Sequence, residues 1–82
     1  MESNQEEKRF AQILGKLWDG KVVKTPDLFF FVNYGKEKVK NFRSKTNQNN
    51  RLVYALAAAR LSMDISNAEN IIEYRESKTK KL

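Results

Sequence analysis

The chain has no cysteine and no histidine. Without thiols there is no disulfide, no thiolate zinc site and no thiol nucleophile. Without imidazole there is no histidine acid–base chemistry. Proline occurs once and glycine three times, too little punctuation for the turns of a many-stranded sheet. The glycines at 15, 20 and 35 are isolated, so no loop cradles phosphate in the manner of a nucleotide-binding motif. Long apolar runs are missing as well. "LFFFV" at 28–32 is five residues long, against roughly 20 needed to cross a bilayer. The N-terminal "MESNQEEKR" is polar and acid-bearing, unlike a signal peptide. These absences lead to the expectation of a soluble, cytoplasmic, non-catalytic protein with no cofactor, no metal and no membrane contact. A chain of 82 residues has room for one domain, read as 1–77 followed by a basic tail over 78–82.

What is present is positive charge, and it is concentrated. Residues 1–35 carry five basic and five acidic groups, whereas 36–51, "KEKVKNFRSKTNQNNR", carry six basic groups and one acid. Residues 52–77 are net −2 and the tail adds +3, which completes the total of +6. A localised basic patch attracts polyanions.

The apolar pattern predicts an all-α fold, a small compact bundle of four to five helices. The first helix spans 4–18, opened by a Ser3/Glu6 capping box. Its apolar face carries Phe10, Ile13, Leu14, Leu17 and Trp18, and Gly20 ends it. This places Trp18 in the core. For 21–35, Thr25 as N-cap followed by Pro26 and Asp27 argues for a helix stopped at Gly35. A short hairpin over 21–32 is the alternative, because five consecutive large apolar residues also suit a buried strand. A weakly anchored helix over 36–45 holds on by Val39 and Phe42. After the polar loop "TNQNN", Asn50 is placed to cap a helix over 51–63. In that helix only Arg51, Arg60 and Ser62 are polar, which makes it the central buried helix, with Leu56 in the core. A second capping box, Ser66/Glu69, predicts a break and a fifth helix over 67–77.

That break, within "YALAAARLSMDISNAENII" (54–72), raises the question of a DNA-binding helix-turn-helix. Ala58, Leu61, Ser62, Met63, Ala68 and Ile71 fill the small and apolar places of such a motif. The would-be recognition helix, however, carries Glu69, Glu73 and Glu76 against a single Arg75 before the tail, and phosphates repel it. The pair reads as scaffold. The three glutamates suit neither a calcium loop nor a glycosidase pair and read as a solvated face, with Glu76 paired to Lys80.

The basic segment is the candidate site. Lys36, Lys38, Lys40, Arg43, Lys45 and Arg51 have the charge to neutralise phosphates of DNA or RNA. Asn47 and Asn49 can hydrogen-bond to base edges. Tyr34 and Phe42 are close enough in sequence to offer stacking faces. The reading is a nucleic-acid-binding accessory or regulatory factor, for instance in transcription.

A rival reading comes from "NRLVYALAAAR", residues 50–60. Asn50, Arg51, Ala58, Ala59 and Arg60 resemble the central helix of the bacterial RNA polymerase omega subunit. The resemblance covers eleven of 82 residues, and the flanking segments do not follow that family. It implies a small helical subunit or adaptor that docks on a larger protein machine, here through an aromatic surface. Of the run Phe29–Phe30–Phe31 at least two are expected in the core and one exposed, because three consecutive residues cannot face one way.

Overall fold

A computed structural model describes residues 2–45 and 47–80, with side chains described for 5–45 and 47–78. The described residues form three helices and no strand: α1 (Glu2–Trp18), α2 (Thr25–Ser44) and α3 (Arg51–Lys80). The fold is all-α, as the apolar pattern predicts, but four to five helices become three, and the hairpin alternative over 21–32 is absent. Two expected breaks do not occur.

The end of α1 follows from Gly20. Its φ of +72° lies in the left-handed region, which glycine adopts without a Cβ penalty. Lys21 N–H donates to Lys16 C=O at 2.9 Å and Gly20 N–H to Leu17 C=O at 3.2 Å, the paired bonds of a Schellman stop. Extended backbone leads to Lys24, the N-cap of α2. The cap thus falls one position before the expected Thr25, which is instead the first helical residue, and Pro26 follows within the first turn. The side chain of Ser3 lies outside the described residues.

Gly35 does not stop α2. It sits inside the helix and is buried, where a Cβ would come within 2.9 Å of Ile65. It is a contact residue that lets α2 and α3 approach. Nor does α3 break near Ser66. The stretch 60–70 contains neither glycine nor proline. A break there would leave helix-end carbonyls without partners, whereas a continuous helix keeps one apolar row in register. That row is Ala58, Leu61, Ile65, Ala68 and Ile72, all buried. With no turn there is no helix-turn-helix.

α2 lies between the other two helices. It runs antiparallel to α3, with Thr25 at its start bonded to Arg75 and Lys36 further along paired with Glu69. α1 crosses α2, so that Arg9 meets Asp27 and Glu7 meets Lys38. Leu28 and Phe31 are fully buried. Phe31 stacks on Phe10 of α1 with ring centroids 4.7 Å apart and planes 8° from parallel. The α1–α2 contact also carries the Arg9–Asp27 ion pair at 2.8 Å, with the Arg9 guanidinium over the Phe30 ring. Arg75 of α3 donates to Thr25 Oγ1 at 2.9 Å.

Two core assignments fail. Trp18 is 58% exposed. It lies at the edge of the α1 stripe, and its indole N–H donates to Asp64 of α3 at 3.2 Å instead of entering the core, where the N–H would lack a partner. Leu56 is also exposed, with Leu52, Val53 and Met63. Only one side of α3 packs on α2, and no described residue covers the opposite side. No helix of the described residues is long and apolar enough to cross a membrane.

Candidate nucleic-acid interface

The basic segment divides over two places. Lys36 and Lys38 belong to the helix contacts. Lys36 pairs with Glu69 at 3.1 Å. Lys38 pairs with Glu7, and its ammonium also lies 5.6 Å from the Phe10 ring centroid and 5.5 Å from that of Tyr34. The Lys38 hydrogen bond holds the Glu7 carboxyl below its ordinary range, against a smaller opposing effect of burial, and the Tyr34 hydroxyl adds to the lowering. Burial, then the hydrogen bond to Glu7, raises the Tyr34 phenol.

Lys40, Arg43, Lys45 and Arg51 make no ion pair with any described residue. The α2–α3 connection brings the last three to one end of the molecule. There, Arg43 of α2 and Arg51 of α3 line a groove of about 400 Å³ with Tyr54, Ala55, Ala58, Ala59 and Ser62. The groove has no acidic residue on its walls. The alanines make it wide, since a larger side chain at 55, 58 or 59 would fill the space beside the two guanidinium groups. Arg51 opens α3, whose first turn contains no acid, so the positive end of the helix dipole adds to the local charge. The acids Glu69, Glu73 and Glu76 lie 18 to 25 residues further along α3, roughly 27 Å or more from Arg51 at 1.5 Å per residue. The connection is therefore purely basic, whereas the glutamates further along α3 are interspersed with Arg75, Lys78 and Lys80.

The asparagine loop departs from the base-reading expectation. Asn47 Oδ1 accepts from the backbone N–H of Asn49 at 2.9 Å and of Asn50 at 3.1 Å. Asn50 Oδ1 accepts from Asn47 N–H at 2.8 Å. Both carbonyls fold the loop back on itself, so Asn47 acts first as a staple of the connection. Asn50 stands where an N-cap stands, its C=O accepting from Tyr54 N–H at 3.1 Å, but its side chain serves the loop. Asn49 is exposed and makes no side-chain bond to a described residue.

The aromatic partners also change. Tyr34 is taken up by Phe10, Phe30 and Glu7. Phe42 packs against Tyr54, ring centroids 5.9 Å apart, and Tyr54 forms the aromatic wall of the groove. Tyr54 lies three residues after Arg51, one helical turn apart, and that spacing was the signal available in the sequence. No single aromatic docking surface forms. Phe31 is buried, Phe30 is half-buried under Arg9, and the exposed Phe29 and Trp18 are on different helices. The Lys80 partner expected for Glu76 lies outside the described side chains. Among the described residues no cluster of acidic side chains is placed to hold a metal ion.

The chain matches no protein-family model, no curated protein and no solved structure. The eleven-residue resemblance to the omega subunit therefore stands on those residues alone.

Proposed function

We propose that the protein binds nucleic acid without catalysis, through the basic end where α2 meets α3. The observation that carries this reading is the groove holding Arg43, Arg51 and Tyr54. It combines two guanidinium groups free of ion pairs to described residues with an aromatic wall and no acid. Guanidinium groups bind phosphate bidentately, and a tyrosine face stacks on a base of any sequence. Lys40 and Lys45 extend the phosphate-binding charge along the end of α2, and Asn49 is the polar side chain of the loop left for a base edge. Lys36, Lys38 and Asn47 support the framework. An accessory or regulatory role in transcription fits a small binder of this kind.

The test is the salt dependence of binding to fluorescent duplex and single-stranded oligonucleotides. If Lys40, Arg43, Lys45 and Arg51 each neutralise one duplex phosphate, the log–log slope is about −3.6. Arg43→Gln with Arg51→Gln lowers it to about −1.8, while Lys38→Met leaves it unchanged. Tyr54→Leu weakens single-stranded binding more than duplex binding. A wild-type chain that binds no oligonucleotide at low salt refutes the reading.

A further inference from the structure

A helix apolar on all sides is stable where more than one side is covered. Over 52–63, α3 is such a helix, and α2 covers only the side of Ala58 and Leu61. On the opposite side, Leu52, Leu56, Ala59 and Met63 recur at spacings of four, three and four, the seam spacing of paired helices, with Ala59 also at the edge of the Arg43–Arg51 groove. Leu52 is 71% exposed, Leu56 63% and Met63 65%, and Val53 beside them is 69% exposed. Trp18 borders this face through Asp64 and through Arg60, whose guanidinium lies 5.0 Å from the indole centroid. The shape agrees with an uncovered face. The radius of gyration is 14.4 Å and the longest dimension 52 Å, whereas a compact chain of this length has a radius of roughly 12 Å.

We infer that this face is closed by a second copy of the chain, α3 against α3, antiparallel about a two-fold axis between Ala57 and Ala58. A two-fold contact requires a stripe that complements itself. In this register Leu52 meets Met63 of the second copy and Leu56 meets its Ala59, so the large central leucine lies over the small central alanine. No charged residue occupies the stripe itself. The four aliphatic side chains and Trp18 expose on the order of 500 Å² per chain, about 1,000 Å² across a pair, which reaches the lower bound for a specific interface. Each chain carries +6, so two copies repel at low ionic strength. Added salt screens this repulsion and strengthens the dimer. That sign is opposite to the salt effect on polyanion binding, and the inference does not depend on the nucleic-acid reading.

The test is sedimentation equilibrium of the full chain over a concentration series at low and high salt, with circular dichroism as the fold control. The 9.6 kDa chain is expected to shift toward twice that mass as concentration rises, and more readily at high salt. Leu56→Glu and Met63→Glu, both at exposed positions, are expected to remain monomeric with unchanged helicity. Ala59→Lys alone is expected to weaken association. Mixed in equal amounts with Leu56→Glu, it should restore a dimer, because one glutamate then faces one lysine across the axis. Wild type that stays monomeric up to about 1 mM, the weak end of measurable affinity, overturns the inference. A Leu56→Glu chain that still dimerises like wild type overturns it equally, as does a mixture that fails to recover.

Discussion

The missing side chain at Gly35 decides how closely α2 and α3 approach. Alanine would favour the helix there by about 1 kcal/mol. Its Cβ, however, would lie 2.9 Å from both Cγ1 and Cδ1 of Ile65 and 3.5 Å from Phe10 Cε1, and overpacking typically costs about 1–3 kcal/mol. Gly35→Ala is therefore expected to be destabilising by about 1 kcal/mol, and by less when Ile65→Val has removed Cδ1. A urea double-mutant cycle that shows the two changes to be additive would exclude the close contact. Phe31→Ala, at a fully buried ring, should cost about 3–5 kcal/mol. Glu7 supplies a pH test at the same scale. Its carboxyl is lowered in the folded chain, so its contribution is complete well above the unfolded value near 4.3 and is lost as pH falls through the lower native value. The Glu7 carboxylate is half exposed, which keeps the effect at about 0.2–1 kcal/mol. In acid denaturation followed from pH 6 to pH 3, Glu7→Gln should flatten the loss below about pH 4.3 relative to wild type. Identical profiles would mean that Lys38 does not stabilise the charged carboxylate.

At the scale of elements, the unbroken α3 gives Ser66 a different role from the one its sequence context suggests. A serine three residues before a glutamate is the signature of a helix start. In the structure it is an exposed mid-helix residue, where alanine is the better helix former. Ser66→Ala should be neutral or stabilising by a few tenths of a kcal/mol, whereas removal of a true N-cap costs about 0.5–2 kcal/mol. Ser66→Pro should cost about 3 kcal/mol or more by interrupting the helix. Thermal denaturation of the two variants separates one helix from two. The helix seen as weak over 36–45 proves to be the second half of α2, held by the buried Val39 and the half-buried Phe42. Those two anchors were legible, but the continuity through Gly35 was not. Glycine is a stop signal by propensity, and only the closeness of Ile65 explains one in a helix interior.

At the scale of the whole molecule, α2 packs extensively on α3, and α1 is added mainly through α2. The attachment of α1 rests on the Phe10–Phe31 stack, the Arg9–Asp27 and Lys38–Glu7 pairs, and the Trp18–Asp64 hydrogen bond. Native-state hydrogen exchange should therefore find amides of α1 opening before those in the middle of α2 and α3. Equal protection in all three helices would mean that the chain opens only as one unit. Phe10→Ala should widen the difference by loosening α1, and its amides should lose protection first.

Composition and apolar period alone determined that the chain is helical, where α1 ends, that Pro26 stands near the start of a helix, and that positive charge collects in 36–51. These are local properties, set by residues within a turn or two of each other. The number of helices depended on whether tertiary packing could carry α2 through Gly35 and α3 through Ser66, which no local signal reports. The candidate site was subject to the same limit. Lysines at 36 and 38 and arginines at 43 and 51 are alike in sequence, but the fold sets Glu69 and Glu7 beside the first two and leaves the arginines together at the α2–α3 connection. The inward and outward sides of α3 were likewise indistinguishable, because both are apolar. Packing against α2 buried Ala58 and Leu61 and left Leu52 and Leu56 facing out, since a single neighbouring helix can cover only one side of a cylinder.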